Sequence, residues 1–163
     1  MFRYGILVIL GLTFGTLPVG AFGQTDVEER LSEGQPPVVI AHRSGVTGGA
    51  PENSLAAIRY AIDRGIDMVH VNLQVTSDGR YVLMHDPTLN RTTDVESVYP
   101  DGPPGGPSRE SRGGRDYVRD YTLDDIRKLR VTEDGQPVPT LEEALDLAAG
   151  RVMLFIGLKN YEE

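Results

Sequence analysis

Cysteine is absent from this chain of 163 residues. Disulfides are therefore excluded, and any fold must rest on its apolar core. Basic residues are scarce: 16 Lys+Arg stand against 24 Asp+Glu, a net charge of −8. That balance argues against a general nucleic-acid binder, although it leaves room for a local cationic pocket. No apolar run is long enough for a membrane span: the longest, over residues 5–14, is broken soon after by Gly15 and Pro18. With 39% hydrophobic and 25% charged residues, the chain is neither disordered, collagenous nor a wholly membrane-embedded protein.

The first residues read as an address. Arg3 supplies a positive charge, residues 5–14 an apolar stretch, and Ala21 and Gly23 the small residues ahead of a cut before Gln24. This is the order of a secretory signal peptide over residues 1–23, and it predicts an exported bacterial protein, periplasmic or secreted. Residues 24–36 read as a polar leader.

Alternating strand and helix patterns follow. Pro37–His42 is a short apolar run of the type found in fully buried strands. A Gly-rich loop over residues 44–49 leads to a helix capped by Asn53 or Ser54, with Leu55, Ile58 and Ile62 on one face. Residues 68–75 alternate with period two, which places His70, Asn72 and Gln74 on one face of a strand. Ser77–Arg80 is a turn signal, and Tyr81–Met84 a strand that delivers His85 and Asp86. Within an insertion over about residues 94–120, nine of the fifteen residues from Pro100 to Gly114 are Gly or Pro, which predicts a mobile segment without regular elements. Its Arg109, Arg112, Arg115 and Arg119 alternate with acids and read as a solvated face. Helices capped by Thr122 and Thr140 and a strand over residues 151–159 complete an α/β pattern with a mostly parallel sheet.

Polar groups collect where the strands end: His42–Arg43, His85–Asp86 and Lys159. In parallel α/β folds these ends line the active face. Two histidines for proton transfer and two cations for phosphate oxygens make a workable site for a phosphate ester.

The segments Ala41-His42-Arg43, Ala50-Pro51-Glu52-Asn53-Ser54, Thr76-Ser77-Asp78-Gly79, Met84-His85-Asp86, Arg91-Thr92-Thr93 and Pro139-Thr140-Leu141-Glu142-Glu143 resemble, in order and context, the glycerophosphodiester phosphodiesterase family. The resemblance implies a TIM-barrel-like fold, of which residues 37–163 supply only the first half. It also implies hydrolysis of glycerophosphodiesters to glycerol 3-phosphate and an alcohol, with Mg²⁺ or Ca²⁺ as cofactor. By the same resemblance His42 and His85 are the acid/base pair, and Arg43 and Lys159 bind the phosphate. Glu52 lies near the metal site. Ser44 stands where the family usually has glycine.

The carboxylates that hold the metal in this family fall on His70, Asn72 and Gly157. Hard cations want anionic oxygen, and all of that charge is gone from these positions. Each lost charge-stabilising contact costs on the order of 100-fold in rate, so metal-dependent hydrolysis is expected to be impaired. His42, His70 and His85 together would suit a transition metal, but the two acid/base histidines are expected to flank the substrate instead. Three functions remain in competition: a phosphodiesterase, an inactive binder of small phosphorylated ligands, and a half-barrel fragment without function of its own. Four strands leave open edges, which the pairing of two copies into a homodimer would cover.

Overall fold

The structure, a computed structural model, describes residues 6–7, 24–45 and 50–159. The expected signal peptide lies outside the described residues, apart from the backbone of a two-residue strand, β1 (Ile6–Leu7). The chain divides into two units, Met1–Val71 with Glu142–Gly157 and Asn72–Leu141 with Leu158–Glu163.

In the first unit, helix α1 (Gln24–Arg30) precedes strand β2 (Ile40–Ala41), helix α2 (Leu55–Asp63) and the opening half of β3 (Met68–Val75). Helix α5 (Leu141–Ala148) and strand β5 (Met153–Leu158) return to it from the far end of the chain. The strand order is β1-β5-β3-β2. β2 runs parallel to β3 with Ile40 opposite Met68, while β1 is antiparallel to β5. Ser54 caps α2 by accepting the Ala57 amide at 3.1 Å, an interaction worth about 1 kcal/mol. The helix then buries Ala57, Ile58 and Ala61, and Val69, Val71, Ala144 and Ile156 are also in the interior. Helix α1, not foreseen in the polar leader, ends on Arg30. That guanidinium bonds Asp67 Oδ1 at 3.0 Å and the carbonyl of Pro36 at 2.8 Å, while Asp67 Oδ2 accepts the Val39 amide.

The run Pro37–His42 is not the fully buried strand that its composition suggests. Only Ile40 and Ala41 pair, and Val39 and Ile40 are 54% and 48% exposed. The reason is position: β2 is the edge of the sheet, so β3 flanks it on one side alone.

In the second unit, the closing half of β3 forms a hairpin with β4 (Tyr81–Leu83), with Leu73 opposite Leu83 and Val75 opposite Tyr81. The hairpin turns at Ser77–Arg80, where the sequence carries its turn signal. Ser77–Arg80 is too short for the crossover of a dozen or more residues that a parallel neighbour needs. The turn instead closes through the Thr76 amide on the Arg80 carbonyl, with Gly79 at φ +74°. A continuous core of Val82, Leu89, Val95, Tyr121, Ile126 and Leu129 lies beneath. Helix α4 (Leu123–Ile126) starts on a reciprocal cap between Thr122 and Asp125.

The Gly/Pro-rich insertion also departs from expectation. It carries helix α3 (Val95–Val98) and a 3₁₀ turn over Glu110–Arg112. Arg109 ties the segment together. Its Nε donates to Asp116 Oδ2 at 2.8 Å and its Nη2 to the Tyr99 carbonyl at 2.7 Å, and the Asp116 carboxylate is wholly buried. Arg112 pairs with Asp120 at 3.3 Å. Gly102 is required at its position: φ is +105°, and a Cβ there would meet the Arg109 amide and Pro107 carbonyl at 2.9 Å.

Candidate functional site

The first unit carries His42, Arg43, Glu52 and His70. After β2 the backbone turns sharply through Arg43, Ser44 and Gly45, at φ +51°, +66° and +87°. Two of these three are not glycine, so the turn is held against its own preference. The Arg43 carbonyl accepts the Asn53 amide at 3.0 Å, which fastens the turn to the Pro51–Asn53 segment. Arg43 Nη1 meets Glu52 Oε2 at 2.9 Å. The imidazoles of His42 and His70 stack in parallel, with centroids 5.2 Å apart and planes 3° apart, and Phe155 packs on His70 at 5.3 Å. His70 Nδ1 faces the Arg43 amide at 3.5 Å, an arrangement that suits the Nε2–H tautomer.

The second unit carries His85, Asn72 and Lys159. His85 Nδ1 lies 2.7 Å from Asp86 Oδ1, and Arg91 Nε donates to Asp86 Oδ2. The Arg91 hydrogen bond, aided by His85 and opposed by partial burial, holds the Asp86 carboxyl down at about 2. Asp86 is thus ionised at any working pH and fixes the Nδ1–H tautomer of His85, leaving Nε2 to exchange protons. Asn72 is buried in β3, where its carbonyl accepts the Met84 amide at 3.0 Å. Lys159 follows β5, and its amide donates to the Leu73 carbonyl at 3.3 Å.

The structure therefore gathers His42, Arg43, Glu52 and His70 in one unit, and sets His85 on a prepared carboxylate in the other. Sequence reasoning passed over two roles. Glu52 is the partner of Arg43, and Arg91 anchors the orienter of His85. The His-Asp pair with an arginine five residues on was the available signal. The four arginines of the insertion are likewise not one solvated face, since Arg109 is engaged with a buried carboxylate.

The donor set decides whether a hard divalent cation fits. Position 157 has no side chain, position 70 offers imidazole and position 72 a neutral amide. The Glu52 carboxylate is engaged by Arg43. Among the described residues no cluster of three or more His, Asp or Glu side chains has metal-binding geometry. These residues do not fit Mg²⁺ or Ca²⁺.

Residues 42–163 match the model of the glycerophosphoryl diester phosphodiesterase family. A glycerophosphodiester phosphodiesterase of Caldanaerobacter subterraneus is 33% identical over 123 residues, 72% of this chain and 42% of that protein. Human glycerophosphodiester phosphodiesterase 1 is 40% identical over 114 residues, 65% of this chain and 28% of that protein. Among solved structures, the enzyme of Parabacteroides distasonis superposes with a TM-score of 0.62 at 26% identity, covering 85% of this chain and 44% of its own. A phosphodiesterase of Oleispira antarctica, solved with its product sn-glycerol-3-phosphate, gives 0.58 at 32% identity, covering 76% and 44%. The chain spans less than half the length of these relatives.

Proposed function

Because the chain belongs to the glycerophosphoryl diester phosphodiesterase family, we propose that it binds glycerophosphodiesters and hydrolyses them slowly, if measured against relatives that keep their carboxylates. Arg43, steadied by Glu52, and Lys159 meet the phosphate oxygens. One histidine takes the proton of the attacking water, and the other protonates the departing alkoxide, giving glycerol 3-phosphate and a free alcohol. The observation that carries this reading is the His85–Asp86–Arg91 series: a histidine fixed in one tautomer by an ionised carboxylate is built to move a proton at Nε2. The slowness follows from the side chains at positions 70, 72 and 157, which supply none of the anionic charge that a hard cation needs. Binding of phosphate esters outlasts that loss, because Arg43 and Lys159 remain.

The triple variant His70→Glu, Asn72→Asp, Gly157→Glu tests the proposal by release of glycerol 3-phosphate in the presence of Mg²⁺ or Ca²⁺. Its rate is expected to exceed the parent's by on the order of 100-fold or more. Equal, negligible rates in both would overturn the assignment of the loss to those positions. Thermal stabilisation of the parent by glycerol 3-phosphate without metal tests the binding step separately.

The same proposal places the protein outside the bacterial cytoplasm, supported by the order of charge, apolar stretch and small residues over 1–23. Among the described residues no helix is long and apolar enough to cross a membrane. Amino-terminal sequencing of exported material should begin at Gln24. Association into a homodimer, which the half-exposed edge strand β2 favours, is read from the mass in solution.

A further inference from the structure

The two edges of strand β5 are paired very differently. On one side the amides of Met153 and Lys159 donate to the carbonyls of Asp67 and Leu73, so these residues face β3. Every second residue of a parallel ladder turns to the same neighbour. Leu154, Ile156 and Leu158 therefore turn their N–H and C=O groups to the far side. The strand, Met153–Leu158, contains no charge and no proline, the usual devices that keep an edge from pairing. Among the described residues only β1 lies along it, antiparallel, with Leu7 opposite Ile156 and Ile6 opposite Gly157.

The cover itself lies within residues 1–23, the expected export signal. We propose that β1 is a temporary cover: the cut before Gln24 removes it, and the outer edge of β5 then pairs antiparallel with β5 of a second copy. The inference rests on the export and homodimer readings above and deepens them by naming the interface.

Three observations favour a second copy of β5 as the occupant. The edge already takes a segment from an apolar stretch in the antiparallel sense, and β5 is itself apolar throughout. The open edge at β2 offers only Ile40 and Ala41, against six residues in β5. The sequence of β5 is also self-complementary about Ile156. A two-fold axis there sets Leu154 opposite the partner's Leu158, and every outward amide and carbonyl from 154 to 158 finds a partner. Phe155 falls opposite the partner's Gly157, where an aromatic ring covers the side chain that glycine lacks. Lys159 falls opposite the partner's Met153, so the two lysines stay apart.

Light scattering tests this on two forms of the protein, the uncut chain made in vitro without signal peptidase and the processed chain recovered after export. The uncut chain should give the monomer mass of 17.8 kDa, and the processed chain twice its own. Leu7→Pro in the uncut chain removes the amide opposite Ile156 and should permit dimerisation without any cut. Because the chain has no cysteine, Leu154→Cys combined with Leu158→Cys reads the register directly. Mild oxidation should link two processed chains of the double variant, and neither single substitution should do so. Leu158→Lys, at a half-exposed position, keeps the backbone and should weaken the processed dimer about tenfold or more. A monomeric processed chain overturns the proposal. A processed dimer that neither cross-links nor responds to Leu158→Lys overturns the β5 interface and leaves the homodimer reading standing. An uncut chain that dimerises as tightly as the processed one overturns the covering role of β1. If no cut occurs, the export reading fails, and the Leu7→Pro chain decides the edge alone: a dimer supports it and a monomer overturns it.

Discussion

The two histidines proposed for proton transfer are supported in opposite ways. His42 opens a turn of consecutive left-handed residues and rests on the flat face of another imidazole. His85 sits on a carboxylate that is itself pinned by an arginine. Around His42, serine and histidine stand at positions 44 and 70, where the resemblance leads one to expect glycine and glutamate. Around His85 the polar partners are in place, and the insertion beside them is cross-tied by ion pairs. One histidine is thus held by ring stacking after a strained turn, and the other by a series of charged groups.

That contrast breaks most readily at Arg109. If the insertion is ordered by this side chain, Arg109→Ala strands the buried Asp116 carboxylate at a cost of roughly 3 kcal/mol or more. The melting temperature should then fall by roughly 6–12 °C for a chain of this size. A solvated arginine would cost at most about 0.5 kcal/mol, and so small a change would remove the contrast.

A smaller effect sharpens it through pH. The Asp86 carboxyl is held at about 2 against an ordinary 3.8. A depressed carboxyl contributes stability that is complete above its ordinary value and disappears as pH falls through the folded one. The contribution is about 2 kcal/mol, lost between about pH 4 and pH 2. Asp86→Asn should flatten that part of the stability curve, as read by urea unfolding at a series of pH values.

The smallest effect belongs to the turn after His42. Ser44 is fully buried at φ +66°, and its hydroxyl has no hydrogen-bond partner among the described residues. Ser44→Gly should stabilise the chain by about 1 kcal/mol and raise the melting temperature by about 2–4 °C. A loss of stability would mean that the serine supports the turn, and that the departure at position 44 is compensated.

How far these features could be read in advance depends on how local they are. The alternation over residues 68–75, the caps at Ser54 and Thr122 and the turn at Ser77–Arg80 are decided by residues a few positions apart, and each appears where its pattern implies. The direction of β4 is equally local, since a turn as short as Ser77–Arg80 demands a hairpin. Burial of Val39 and Ile40 depends on what lies beyond the sheet edge, which an apolar run does not encode. Arg109 fails for a related reason. Its composition-rich surroundings look solvated until the fold brings Asp116 and the carbonyls of Val95 and Tyr99 around one guanidinium. Of the site, the histidines and Arg43 were legible as residue types at strand ends, whereas the partners that orient them became apparent only from geometry.

Arg30 has a bearing on where the proposed export signal could be cut. Its guanidinium secures Asp67 and the carbonyl of Pro36, and Asp67 in turn secures the start of β2. The proposed cut before Gln24 leaves this clasp untouched. One a few residues later removes Arg30 and uncouples the strand that presents His42. The leader thus has a boundary, set by one side chain, beyond which shortening the chain becomes damage.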